Sequence, residues 1–185
     1  KLDSNGNFVW AIALGGGGGD YVHDIAVDSF GNVYTTGSIY GTVDFDPGPG
    51  TFYLTGYSIT FVHKMNSNAD FVWAKAIDSS WYSVGSGIAV DSSANVYTTG
   101  YFDGTVDLDP GPGTFNLTNN GNLDIFISKL DNSGNFVWGK AMGGATDDSG
   151  SSIAVDFSGN VYTTGNFHGT VDFDPGPGTF YLTGY

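Results

Sequence analysis

Short runs that are rich in Val, Ile, Phe, Tyr and Thr follow one another along the whole chain and are separated by polar turns. Residues 136–142 and 161–165 are two such runs, and their β-branched and aromatic side chains are typical of strands. The segment between them includes the turn at residues 156–160, which opens with Asp and has Gly in its fourth position. Asp bonds its own backbone and Gly tolerates a positive φ, as hairpin turns require. The pattern therefore predicts short antiparallel strands joined by tight turns.

The strand and turn pattern recurs three times. The interval from Ile25 to Ile88 is 63 residues and that from Ile88 to Ile153 is 65. A repeat of this length is a supersecondary unit that buries its hydrophobic face against its neighbours. The sequence therefore predicts a single array, residues 1–185, of three repeats at approximately residues 1–60, 61–125 and 126–185. Its repeated strings Ile-Ala-Val-Asp, Asn-Val-Tyr-Thr-Thr-Gly and Gly-Thr-Val-Asp begin at Ile25, Ile88 and Ile153, at Asn32, Asn95 and Asn160, and at Gly41, Gly104 and Gly169.

Each repeat of about 63 residues contains four core strands and a further ribbon, which runs from Gly-Thr-Val-Asp to the next Leu-Thr. Removing that insertion of roughly 18 residues leaves a length near the 40–50 residues of ordinary propeller blades. We therefore expect an all-β protein made of four-stranded β-propeller blades, each with an extra ribbon. The alternative is a β-solenoid. The hairpin turns argue against it, because solenoid coils stack in parallel.

Composition supports the all-β prediction and excludes several functions. Glu, Gln and Arg, all good helix formers, do not occur, whereas Gly occurs 30 times. Five lysines against 19 acidic residues give a net charge of −14, which is unsuitable for binding nucleic acid. No apolar run approaches the length needed to span a bilayer. Cysteine is also absent, which excludes disulfides and thiol chemistry.

The repeated strings resemble a known family. Ile-Ala-Val-Asp-x-x-Gly-Asn-Val-Tyr-Thr-Thr-Gly, with Phe-Ile-Ser-Lys-Leu-Asp and Gly-Asn-Phe-Val-Trp, is similar to the bacterial β-propeller repeat SBBP over nearly the whole chain. The Val-Asp-Phe-Asp-Pro-Gly-Pro-Gly insertion resembles versions found in exported Bacteroidetes proteins. This resemblance implies a secreted or cell-surface bacterial protein. It supplies no catalytic motif.

Three blades are too few to close a propeller, which needs at least four. The chain also begins in the last part of one strand, at Lys1, and ends where another should begin. We therefore expect an open fragment of a larger propeller or assembly. Its partners are then further blades of the same parent chain, or other copies that complete a ring, layer or filament.

The Asp-x-Asp-Pro-Gly-Pro-Gly loops are the main candidate metal sites. Residues i and i+2 of a strand face the same side, so each loop presents two carboxylates together. Carboxylate and carbonyl oxygens are the ligands that Ca²⁺ prefers. The alternative is that these residues cap turns and solubilise the ribbon. The predicted calcium ligands are Asp44, Asp46, Asp107, Asp109, Asp172 and Asp174.

Trp81 and Tyr82 are the candidate ligand-binding residues. They lie in a loop between two strands, and the sequence of this loop differs from repeat to repeat. Variable loops on a constant scaffold are common binding sites. A glycan is the expected ligand, because sugar faces stack on aromatic rings. The alternative is that Trp81 packs against a neighbouring blade.

No catalytic motif is present, and a catalytic residue would not need three copies. We therefore expect a non-enzymatic, extracellular or cell-surface module with a structural or adhesive role, stiffened by calcium and self-associating. The alternative function is a carbohydrate-binding propeller that uses its variable loops.

Overall fold

The computed structural model describes residues 1–184, and all of the regular structure in this range is β-strand. Every strand pair in it is antiparallel. In this part of the chain, no helix is long and apolar enough to cross a membrane. The all-β prediction is confirmed, and the antiparallel pairing favours propeller units over a solenoid.

The first unit is a four-stranded sheet whose strands pair in chain order. Its two middle strands are long, and their outer halves form the first ribbon, residues 40–57. A short strand that precedes the unit, β1 (Gly15–Gly16), pairs with this ribbon. The four strands of the unit are β2 (Tyr21–Val27), β3 (Val33–Asp44), β4 (Tyr53–Met65) and β5 (Phe71–Ser79).

The second unit repeats this order, and the third contributes two strands within the described residues. Each of these units carries a separate ribbon after its second strand. The second unit consists of β6 (Tyr82–Val90), β7 (Val96–Asp103), β10 (Asp124–Leu130) and β11 (Phe136–Met142), with the second ribbon β8 (Thr105–Asp107) and β9 (Asn116–Thr118). The third unit consists of β12 (Ser149–Val155) and β13 (Val161–Asn166), with the third ribbon β14 (Thr170–Asp172) and β15 (Tyr181–Thr183).

Two of the three described hydrophobic clusters join residues of successive units, and the buried members of the other all lie in the first unit. The largest cluster joins Tyr34 and Trp73 of the first unit to Val96 and Phe126 of the second. A second cluster joins Tyr97, on the far side of the second unit, to residues of the third. Each unit therefore depends on its neighbour for burial, as in repeat proteins generally.

The two ends of each unit differ. The turns that join first to second strands, and third to fourth strands, lie at one end, which we call the turn end. The ribbons and the loops that lead into the next unit lie at the opposite end, which we call the ribbon end. The predicted metal and ligand residues therefore all lie at the ribbon end.

Candidate functional site

The first Asp of each Asp-x-Asp loop closes the tip of its ribbon. Asp44 Oδ1 accepts hydrogen bonds from the backbone N–H of Asp46 at 3.1 Å and of Phe52 at 2.8 Å. Asp107 and Asp172 accept the same two bonds in the second and third ribbons. These carboxylates therefore satisfy backbone donors that the ribbon tip leaves unpaired.

The second Asp is enclosed by the Pro-Gly-Pro-Gly segment. Asp46 Oδ1 accepts the N–H of Gly48 at 2.8 Å. A Cβ on Gly50 would overlap Asp46 Oδ2, so a larger residue there would displace the carboxylate. The same contacts surround Asp109 and Asp174. The glycines of the loop are thus explained by how closely the backbone wraps the carboxylate.

Each ribbon is paired with the segment of chain that leads into its own unit. In the first ribbon Asp44 pairs with Gly15, and in the second Asp107 pairs with Asp78 of β5. In the third, Asp172 forms an isolated bridge to Gly143, directly after β11. The ribbon therefore links its unit to the chain that precedes it.

The structure does not test the calcium prediction for the six Asp residues. Within residues 1–184, no group of three or more Asp or His side chains is arranged to hold a metal ion. One oxygen of each carboxylate already accepts backbone hydrogen bonds. The site stays a prediction.

Trp81 is 74% exposed, in the loop between β5 and β6. Its ring lies against Gly104, at the start of the second ribbon, so closely that a Cβ there would contact it. Ser79 Oγ accepts the N–H of Trp81 at 3.3 Å, and its single O–H lies within hydrogen-bond distance of the carbonyls of Tyr82 and Asp103. The indole is therefore presented to solvent on an ordered loop.

Tyr82 lies in a different environment from Trp81. It is half-buried, and its ring packs edge-on against Tyr101 with centroids 6.3 Å apart. Burial, followed by the charge of Asp103, raises the pKa of Tyr82 above its ordinary value. Of the two predicted ligand residues, Trp81 is the more accessible.

A second junction between units lies at the turn end. The Lys64 ammonium and the Trp73 indole N–H both donate to the carbonyl of Asn132, in the turn of the following unit, at 3.1 and 3.2 Å. Lys64 also lies over the Tyr34 ring, 5.1 Å from its centroid. Successive units are thus linked at both ends.

Two buried carboxylates where the second and third units meet were not found from the sequence. Asp124 and Asp148 are almost fully buried, and Asp124 Oδ1 has no hydrogen-bond partner. Burial, with a smaller contribution from Asp148, raises the pKa of Asp124 to about 6. The available signal was that Asp124 occupies the position of a buried Ile, Ile59, in the first unit.

Comparisons with known proteins agree with this architecture. The family described as beta-propeller repeat, SBBP, matches residues 9–44 and 137–167. Each matched segment runs from fourth-strand sequence through the first two strands of the next unit.

One curated relative is similar over most of the chain. The uncharacterized WD repeat-containing protein L264 of Acanthamoeba polyphaga mimivirus is 29% identical over 155 residues. The alignment covers 78% of this chain and 11% of that protein. The chain therefore spans about a tenth of the length of the relative it matches.

Proposed function

This chain is built from β-propeller repeats of the SBBP family, and from that premise we propose that it is a non-enzymatic structural or adhesive module. In this proposal the module works at the cell surface or outside the cell. It extends by the addition of like units edge to edge, which come from further blades of the same parent chain or from other copies. The resemblance to SBBP repeats supports the location.

The observation that carries the proposal is the repeated double junction between units. Ribbon pairing at one end recurs three times, at Gly15, Asp78 and Gly143. At the other end, Lys1 donates to the carbonyl of Ser67 as Lys64 does to that of Asn132. A contact set that recurs in successive units favours a scaffold over a single reaction centre.

Within residues 1–184, β13 pairs only with β12, and in this proposal its other edge is where the next strands are added. Tyr34 and Tyr97 are 0% and 1% exposed in units that have a third strand and a following unit, whereas the equivalent Tyr162 is 58% exposed. Thr36 and Thr99 are fully buried and donate to the third-strand carbonyls of Phe61 and Phe126. An edge with such partners in two units is a template for strand addition.

A trans-complementation experiment tests strand addition. We expect a peptide of residues 124–142, which carries third- and fourth-strand sequence, to bind the chain and protect the amides of β13 from hydrogen exchange. Thr164→Lys should abolish this binding, because the equivalent Thr36 and Thr99 have no room for a larger side chain. Ser158→Lys is the matched control, since it adds the same charge in an exposed turn.

Native mass measurements over a range of concentrations complete the test. Species heavier than 19.4 kDa that Thr164→Lys removes, and Ser158→Lys does not, would support assembly through this edge. A chain that stays monomeric and leaves the peptide unbound would contradict the proposal.

Carbohydrate binding is the second candidate function, and the exposure of Trp81 favours it. An indole on an ordered loop offers a flat face on which a sugar ring can stack. Glycan binding that Trp81→Ala removes, with no assembly of the chain, would favour this candidate over the structural one.

A further inference from the structure

Three exposed tyrosines, two of which line one groove, form a cluster that is specific to the first unit. Tyr21, Tyr40 and Tyr57 are 62%, 39% and 70% exposed at the ribbon end. At the positions of Tyr40, the later repeats have Asp103 and His168. The repeated packing therefore does not account for the cluster, and a side-chain set that is specific to one unit of a regular scaffold is a candidate binding site.

The cluster borders a groove of about 390 Å³ lined by Gly19, Tyr21, Ser38, Ile39, Tyr40 and Ser58. The rings of Tyr40 and Tyr57 lie with centroids 4.0 Å apart and planes inclined by 46°. The glycine loop before β2 closes one side, since a Cβ on Gly18 would overlap the carbonyl oxygen of Tyr40. The groove thus has aromatic walls and a backbone rim.

Hydrogen bonds hold the groove in shape. Asp20 Oδ1 accepts the N–H of Tyr40 at 3.0 Å and its Oδ2 accepts the N–H of Gly16 at 2.9 Å, which ties the glycine loop to the ribbon. At Ser58 the backbone has a φ of 58°, where the pairing of β3 with β4 shifts register. The backbone that carries Tyr40 is therefore held in place before any ligand arrives.

The charged side chains nearest the groove in the sequence are acidic, and the imidazole beside it is that of His23, which stacks on Tyr21 with centroids 6.2 Å apart. No lysine occurs between residues 2 and 63, and Lys64 lies at the opposite end of β4. Asp20 stands beside the groove, and Asp44 and Asp46 lie further out along the same ribbon. Electron-rich ring faces next to carboxylates attract a cation, and a quaternary ammonium is the cation with the lowest desolvation cost on an aromatic surface.

We propose that the groove between Tyr21 and Tyr40 binds the quaternary ammonium group of a small soluble ligand. The Tyr21 and Tyr40 side chains contact the methylated nitrogen, and Asp20 contributes the negative charge. This goes beyond the structural role, because the groove lies on the first unit and does not include the edge of β13.

Choline and its neutral carbon isostere, 3,3-dimethyl-1-butanol, are the probes. Calorimetric titration should detect choline binding, about tenfold or more tighter than that of the isostere, and weakened by added NaCl. Tyr21→Ala should weaken choline binding about tenfold, whereas Tyr21→Phe should retain most of it. Tyr53→Ala is the matched control, because Tyr53 is equally exposed but does not line the groove.

Equal affinity for choline and the isostere would overturn the proposal. So would tighter binding of a neutral hexose that Tyr21→Ala abolishes, which would make the groove a sugar site. Binding to phosphatidylcholine vesicles with no binding of free choline would overturn the assignment to a soluble ligand. Thr164→Lys should leave choline binding unchanged, so this test is independent of the assembly test.

Discussion

At the scale of single residues, one pair of side chains, Asp and Asn, closes every described turn at the turn end. The two side chains occupy the first and fifth positions of the turn. In the first unit, Asp28 Oδ2 accepts the Asn32 amide at 2.8 Å and the Tyr34 hydroxyl at 3.0 Å. Burial opposes ionisation of Asp28, but these hydrogen bonds lower its pKa below the ordinary value. At residues 66–70 the pair is exchanged, and the Asn66 amide donates to Asp70 at 2.8 Å. The hydrogen bond between the two side chains survives the exchange, because the Asn amide can donate to the Asp carboxylate from either position of the turn.

The fourth residue of each such turn has a positive φ. Glycine occupies it in four turns, for example Gly31 at 81° and Gly159 at 83°, but Ala69 and Ala94 adopt 70° and 61°. A Cβ in this left-handed region costs about 1 kcal/mol. These two alanines are therefore the strained members of the set.

We predict that Ala69→Gly and Ala94→Gly each raise the free energy of unfolding, by about 0.5–1 kcal/mol. Urea denaturation measures the change. Gly159→Ala is the reciprocal control, because a Cβ there meets nothing within 4 Å and adds only backbone strain. It should lower stability by about 1 kcal/mol. Destabilisation by both glycine substitutions would show that the alanines are not strained.

Two buried titratable residues should give opposing pH dependences. Burial lowers the pKa of His63, which packs between Phe45 and Phe71, from 6.5 to about 4. Its contribution to stability is present above the unfolded pKa and is lost as pH falls towards 4. Asp124, with its pKa raised to about 6, contributes below pH 4 and loses that contribution as pH rises towards 6.

We therefore predict a nearly flat stability profile between about pH 4 and 6.5 in the unmodified chain. In Asp124→Asn only the pH dependence due to His63 remains, so the free energy of unfolding should rise with pH across this window. In His63→Phe only the pH dependence due to Asp124 remains, so the free energy of unfolding should fall as pH rises. Denaturation at a series of pH values measures both. Parallel profiles in the three proteins would contradict the assignment.

At the scale of elements, the ribbon is the feature that distinguishes these units from simple four-stranded sheets. Val106 and Leu108 of the second ribbon are fully buried in the core that joins the first two units. The ribbon thus carries hydrophobic side chains into the junction while its backbone extends the preceding sheet. Its acidic tip remains at the surface, where the calcium prediction applies.

The calcium prediction can be tested with one variant. Replacing Asp46, Asp109 and Asp174 by Asn removes three charges and keeps an oxygen for the N–H of each following glycine. If calcium binds, EDTA should lower the Tm of the unmodified chain and added CaCl₂ should restore it, whereas the triple variant should respond to neither. Equal concentrations of NaCl control for charge screening. An unmodified chain with the same Tm in EDTA and CaCl₂ does not bind calcium in these loops.

At the scale of the whole molecule, stability is shared between units. Two of the three described cores contain buried side chains on both sides of a junction, as Tyr34 and Val96 illustrate. Structural units are also out of phase with the sequence repeats, because the first unit begins at Tyr21 and ends at Ser79. The first and second units therefore each draw strands from two successive repeats, which couples the repeats along the chain.

The sequence by itself determined the all-β class, the hairpin turns, the ribbon and the repeat. These features depend on local chemistry: Asp and Gly at fixed turn positions, β-branched residues in strands, and intervals fixed by packing. The propeller family was recognisable for the same reason, since its strings lie in the strands and turns.

Tertiary structure alone decided which surfaces are covered. The string Asn-Val-Tyr-Thr-Thr-Gly is identical in the three units, yet Tyr34 is buried and Tyr162 is exposed. The pairing of each ribbon with the segment that leads into its unit, the burial of Asp124 and the grouping of Tyr21 with Tyr40 likewise depend on contacts between segments distant in the chain. Burial and long-range pairing depend on neighbours that no local pattern specifies, whereas turns and strands carry their signal within a few residues.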